Sequence, residues 1–325
     1  MLLSSAAILM GLVVLVWSAD RFVLGASAVA RNLGISPLII GMTILGFGTS
    51  APEMLVSGMA AWGGNPALGV GNALGSNIAN IALVLGFTAI IAPMIVRSQI
   101  LKREFPLLFL AMGVAALLMV DGVLSRLDGF ILLSGVVVML WWMIRLARKE
   151  KATSQEPLNA EFEGEIPDDM PMKKAVSWLV LGLLLLMASS RLLVWGAVDI
   201  AEYFGVSDLI IGLTIIAIGT SLPELAATVS AALKKEHEMA IGNVIGSNLF
   251  NLLAVLALPG IIMPTVLAPE VMNRDFVVMS VLTIALFLMA YGFKGKDGQI
   301  NRIEGAVLLT AFIGYMVTLY FSVVG

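Results

Sequence analysis

A chain of 325 residues that is 59% hydrophobic and 13% charged, with a mean hydropathy of +1.00, is too apolar for a water-soluble fold, whose apolar share runs near about 45–50%. A net charge of −3, with no basic run interleaved with aromatics, excludes nucleic acid as a partner. The absence of cysteine excludes disulfides and thiolate metal sites.

A helix rising about 1.5 Å per residue crosses a hydrocarbon layer of roughly 30 Å in about 20 residues. Ten segments of that kind succeed one another, so an all-α membrane protein with ten transmembrane helices is expected. The first, residues 2–19, has no positive leader and reads as a spanning helix, not a removed signal. Asp20 and Arg21 then read as an interfacial helix end. Residues 35–60, 67–92, 104–120 and 128–146 complete a first set of five; Trp141 and Trp142 near its end read as interfacial. A polar stretch over 148–174 contains Glu156, Glu161, Glu163, Glu165, Asp168 and Asp169. It lacks the spacing and glycine of an EF-hand loop and reads as a solvated linker. The second set is 175–195, 207–232, 239–263, 275–292 and 303–323. His237, the single histidine, sits with Lys234, Lys235 and Glu236 and reads as part of a solvated loop.

Charge placement sets the expected orientation. One side of the ten-span scheme carries Arg126, Arg191 and Arg274; the other carries the remaining sixteen of the 19 Lys and Arg residues. The positive-inside rule then puts both termini outside an inner (plasma) membrane and the central loop in the cytoplasm.

The two sets are copies. GMTILGFGTSAPEMLVS at 41–57 matches GLTIIAIGTSLPELAAT at 212–228, and GNALGSNIANIALVLG at 71–86 matches GNVIGSNLFNLLAVLA at 242–257, both at an offset of 171. The units are thus 1–147 and 175–325, with motif regions 41–86 and 212–257. Five spans is an odd number, so the second copy is expected to enter the membrane inverted, a recurrent plan of secondary transporters with ion sites between the copies.

Within these motifs Glu53 and Glu224 lie deep in apolar segments, where a charged carboxylate costs on the order of 3 kcal/mol. Each is preceded by a proline, Pro52 or Pro223, which as an interior helix residue would free the carbonyl of Gly48 or Gly219; a mechanical kink is the alternative. Thr49 and Thr220 stand four residues before the glutamates, on the same helical face, and Ser50 and Ser221 add hydroxyls. Asn72, Ser76 and Asn80, and again Asn243, Ser247 and Asn251, make a polar stripe on the next helix; interhelical hydrogen bonding alone could also account for it. Gly71 with Gly75 and Gly242 with Gly246 have the spacing of close helix packing. This is an all-oxygen inventory suited to hard cations such as Ca²⁺ and Na⁺. GVGNALG at 69–75 is no nucleotide fingerprint, since no strand precedes it.

GTSAPE at 48–53, GTSLPE at 219–224, GSNIAN at 75–80 and GSNLFN at 246–251 resemble the paired repeats of the calcium/cation antiporter superfamily, in its prokaryotic sodium/calcium exchanger branch. The resemblance implies exchange of Na⁺ for Ca²⁺ by alternating access, with the first two helices of each half sliding against the rest. It makes Glu53 and Glu224 the main Ca²⁺ ligands and gives Thr49 and Thr220 to flanking ion sites. Ser50, Ser76, Asn80, Ser247 and the carbonyls of Gly46 and Ala217 would complete the Na⁺ sites. Some relatives, the potassium-dependent ones included, carry aspartate where Asn251 stands, so potassium dependence is not implied. The bilayer and the transported ions are the expected partners, with no bound cofactor. A H⁺/Ca²⁺ or other cation antiporter ranks second and a cation channel third. An intramembrane enzyme ranks last, for want of a nucleophile with a base beside it.

Overall fold

The computed structural model describes residues 1–96, 98–153, 170–204, 217–291 and 298–324. Its helices are α1 (Leu2–Leu33), α2 (Pro37–Thr49), α3 (Ala51–Trp62), α4 (Pro66–Ile91), α5 (Ser98–Met119) and α6 (Arg126–Thr153), then α7 (Met172–Tyr203), α8 (Ala217–Thr220), α9 (Leu222–Leu233), α10 (His237–Ile262), α11 (Val271–Ala290) and α12 (Arg302–Val324). Among the described residues, seven are long and apolar enough to cross a membrane, and the bent pair α2 with α3 makes an eighth. The linker acids from Glu156 to Asp169 and the start of the expected span 207–232 lie outside the described residues.

Two expected boundaries are corrected. α1 runs on to Leu33, and α7 extends to Tyr203. In α1 the residues from Phe22 to Ala30, just past the charged pair, are small or apolar and entirely buried, so packing carries the helix beyond Asp20 and Arg21. Neither residue is a helix end. Asp20 accepts an ion pair from Lys234 at 2.6 Å. Arg21 lies over Trp17 and Trp178, 5.6 and 5.3 Å from the ring centroids. These rings, with the Ser4–Asp199 hydrogen bond at the other end, align α1 antiparallel to α7.

Two small antiparallel ribbons join the copies. β1 (Met94–Val96) pairs with β4 (Gly298–Ile300), Met94 opposite Ile300. β2 (Val123–Leu124) pairs with β3 (Thr265–Val266), Val123 opposite Val266. β1 and β2 sit at opposite ends of α5, whose 22 residues span roughly 33 Å. The deepest elements are α4 and α10, while α1, α6 and α12 present wide apolar faces, as expected where lipid is the solvent.

Candidate functional site

The centre is built where two helices stop and restart. After Thr49, Ser50 takes φ −82° and ψ 0°, and α3 begins at Ala51 with a 40° bend. After Thr220, Ser221 takes φ −88° and ψ 2°, and α9 begins at Leu222. Both serines occupy the bridge region, sparsely allowed and favoured by functional residues. Pro52 and Pro223 are therefore second residues of new helices, where a missing N–H costs nothing, and not kinks inside continuous ones. This corrects the assumption of one unbroken helical face linking each threonine to its glutamate.

Each glutamate sits in the first turn of its new helix, where the dipole and unpaired amides favour a negative group. Glu53 is 1% and Glu224 0% exposed, and none of their four carboxylate oxygens has a hydrogen-bond partner among the described residues. The two charges act on each other, and Thr49 and Ser50 lie beside the Glu224 carboxylate. Among the described residues, no lysine or arginine acts on either. Two buried carboxyl groups, one from each copy, are thus close enough to influence each other in an apolar interior.

α4 and α10 supply the surrounding amides. Each carries a wide π-type turn beginning at the motif's last asparagine, Asn80–Leu85 in α4 and Asn251–Val255 in α10. Such turns cluster at functional sites because they re-aim side chains and loosen the carbonyl ladder. Asn80 donates to Asn248 Oδ1 at 3.1 Å, joining the copies, while its own Oδ1 is left over. Asn251 is fully buried with neither amide atom partnered, and the Ser50 and Ser221 hydroxyls are also unpartnered. Thr49 Oγ1 lies 3.2 Å from Ser247 Oγ and donates within reach of Leu45 O (3.1 Å) and Asn243 Oδ1 (3.3 Å). Ser247 in turn donates to Gly46 O at 3.4 Å. Ser76 is buried in the same layer, and Thr220 is half-buried at the end of α8, which starts at Ala217. Of the expected carbonyls, Gly219 O accepts from Ser190 Oγ at 3.0 Å, and Gly46 O also accepts from Ser50 N at 3.1 Å. Pro52 has no N–H to offer Gly48.

The packing role assigned to the paired glycines is confirmed only in α10. A Cβ on Gly242 would come within 2.7 Å of Leu38 O, and one on Gly246 would collide with the Met42 backbone. Among the described residues, nothing lies within 4 Å of a Cβ at Gly71 or Gly75. In the repeat register the partner of that face falls within 205–216, outside the described residues.

Two features escaped the sequence reading. Asn77, inside GSNIAN, is 1% exposed with both amide atoms unpartnered, and its counterpart Asn248 is buried too. Attention to the four-residue stripe passed over them, although both copies keep them. Away from the centre, Arg274 grips Asp275 at 2.7 Å and Tyr315 donates to the same carboxylate at 3.0 Å. Arg103–Glu104–Phe105 and Arg274–Asp275–Phe276 stand at the same 171-residue offset, so extending the self-comparison would have found them.

A multi-pass membrane protein built around a buried, cation-free pair of carboxylates with hydroxyl and amide oxygens belongs to the class of cation transporters. The sodium/calcium exchanger protein family model matches residues 3–145 and 174–321, and the chain belongs to this family. It is 53% identical over 322 residues to CaxA of Alkalimonas amylolytica, a provisionally assigned antiporter, covering 99% of this chain and 100% of that one. It is 42% identical over 320 residues to the inner membrane protein YrbG of Escherichia coli, covering 98% of each. The solved sodium-calcium exchanger NCX_Mj, soaked with 10 mM Na⁺ and 10 mM Sr²⁺, superposes with a TM-score of 0.83 at 33% identity, covering 97% of this chain and 98% of that one. The family is one of exchangers and not of enzymes, and the activity it assigns is cation antiport.

Proposed function

We propose that the protein exchanges Na⁺ for Ca²⁺ across the inner membrane by alternating access, with the ion centre between two inverted halves. One observation carries the reading: Glu53 and Glu224, each effectively inaccessible and close enough to influence each other, leave four oxygens without partners among the described residues. Two such charges in an apolar interior cost far more than two neutral groups unless a cation joins them, and one divalent ion balances both. Ca²⁺ takes 6 to 8 oxygens in flexible geometry, and hydroxyls and amides stand around the carboxylates to supply the rest. Glu53 and Glu224 are the Ca²⁺ ligands in this reading, with Thr49 and Thr220 beside them. Ser50, Ser221, Ser76, Asn80, Ser247 and Asn251, with the carbonyls of Gly46 and Ala217, serve Na⁺. Asn77 joins them on the strength of its two unpartnered atoms.

The ten-helix inverted plan completes this reading. Its units are 1–147 and 175–325, and 148–174 connects them. The ribbons support it. The repeat offset carries β1 onto β3 and brings β2 close to β4, so the β1–β4 ribbon maps onto the β2–β3 ribbon at the other end of α5. A two-fold axis in the membrane plane makes that exchange. The excess of Lys and Arg on one side supports an orientation with both termini outside.

Proteoliposomes test the coupling. Ca²⁺ uptake should require an outward Na⁺ gradient and stop when the gradient is collapsed. Uptake that ignores Na⁺ and tracks a pH gradient would make the protein a H⁺/Ca²⁺ antiporter, and current without counter-ion movement would make it a channel.

A further inference from the structure

The two copies differ at one turn. Gly63–Gly64–Asn65 comes after α3, and the 171-residue offset places Lys234–Lys235–Glu236 after α9. Both turns close with the same bonds. Gly64 N donates to Ala61 O at 3.2 Å and Asn65 N to Ala60 O at 2.8 Å; Lys235 N donates to Ala232 O at 3.1 Å and Glu236 N to Ala231 O at 2.9 Å. This helix ending needs a left-handed residue, normally glycine. Gly64 has φ +88°, whereas Lys235 holds φ +63° and is the one non-glycine residue with positive φ among the described residues. A side chain is disfavoured there, and strain of this kind marks a place where something else is gained.

The space behind the turn gives the reason. A cavity of about 570 Å³ opens between α1 and α9, walled by Leu12, Leu15 and Val16 on one side and Leu225, Ala226 and Val229 on the other. Its polar end is formed by Asp20, Lys234 and Lys235. Leu12 and Val16 are 49% and 62% exposed, so the cleft opens onto the outer face of α1. Asp20 offsets Lys234 at 2.6 Å, and the exposed Lys235 leaves the mouth net positive. An aliphatic throat with a cationic rim matches a molecule with a fatty tail and an anionic head.

We infer that this cleft binds an anionic phospholipid, its tail between α1 and α9 and its phosphate held by Lys235 with Lys234. The inference rests on the protein's membrane class and is independent of which ions it exchanges. Because α1 and α9 come from different copies, the lipid is a wedge at the seam between them.

The test uses the full chain in detergent, read by native mass spectrometry and thermal unfolding. The ligands are phosphatidylglycerol, phosphatidylcholine with the same tails, and glycerol 3-phosphate. Phosphatidylglycerol should stay bound and raise the unfolding midpoint, phosphatidylcholine should bind more weakly, and glycerol 3-phosphate should do neither. Lys235→Gly restores the residue used by the first copy. Its midpoint without lipid should stay the same or rise, while its affinity for phosphatidylglycerol falls roughly fivefold, the loss of one basic contact. Ala226→Phe, which fills the throat, should remove the tail-dependent binding. The inference is overturned if Lys235→Gly binds phosphatidylglycerol like the unaltered protein, if phosphatidylcholine binds equally well, or if glycerol 3-phosphate alone reproduces the effect.

Discussion

α4 and α10 carry nearly the same letters, yet their asparagines are wired differently. In α4, Asn72 donates to the main-chain oxygen of Glu53 at 3.1 Å, and Ser57 of α3 donates to Gly69 O at 2.8 Å, so α3 and α4 are held through backbone. In α10, Asn243 donates to the Thr228 hydroxyl at 2.9 Å and stands within reach of Thr49, so side chains bind α10 both to its neighbour and to the other copy. Duplicated sequence is here held through backbone in one copy and through side chains in the other. Identical motifs therefore do not imply identical duties, and perturbing matched positions separates scaffold from site.

The largest contrast should come from the carboxylates, where the two copies are equivalent. Glu53→Gln and Glu224→Gln should each reduce Ca²⁺ flux in proteoliposomes below roughly one per cent, since an unbalanced charge beside a divalent ion costs several kcal/mol. The ion-free variants should be no less stable, because a buried unpartnered charge is replaced by a neutral group. Substantial flux in one variant alone would mean that the copies are not equal at the centre.

The turns before α4 and α10 should differ in their response to pH. Asn65 caps α4 by accepting from Leu68 N at 3.2 Å and does not titrate. Its counterpart Glu236 is pushed up to about 7, first by burial and then by the charge of Glu238, against the opposing pull of Arg31 and Lys234. A raised carboxyl favours the protonated folded state, so its stabilisation is complete below about 4.5 and is lost as pH rises through about 7. The swing is up to about 3 kcal/mol. Unfolding midpoints between pH 5 and 8 should fall for the unaltered protein and flatten for Glu236→Gln; parallel curves would reject the assignment.

Packing comes next. Gly246→Ala should cost about 1–3 kcal/mol by forcing α10 away from α2. An unchanged unfolding midpoint would show that the two helices can part without cost. The smallest contrast is between the asparagines. Asn243→Ala should cost about 1–2 kcal/mol because it strips buried hydroxyls of partners, and Asn72→Ala about half as much, its bond being only part-buried.

The broad plan was legible because its signals are local. Apolar length marks the spans, and a shared offset marks the copies, since neither depends on distant contacts. The motif glutamates could be chosen because a charge in an apolar segment is costly wherever it ends up. What the sequence could not disclose depends on tertiary packing. Asp20 and Arg21 read as a terminus until Lys234, Trp17 and Trp178 were seen to accommodate them. Pro52 reads as an interior helix residue that frees the Gly48 carbonyl until Ser50 supplies the break two residues earlier. Asn77 could be weighed only once burial showed both its amide atoms without partners.

The two short ribbons have a mechanical consequence out of proportion to their length. By stitching the ends of α4 and α5 to those of α10, α11 and α12, they rivet most of the molecule into a chassis. α1 and α7 lie outside that stitching and hold to each other through the Ser4–Asp199 hydrogen bond and the Trp17–Trp178 rings, so the longest helices of the two copies are braced by side chains alone.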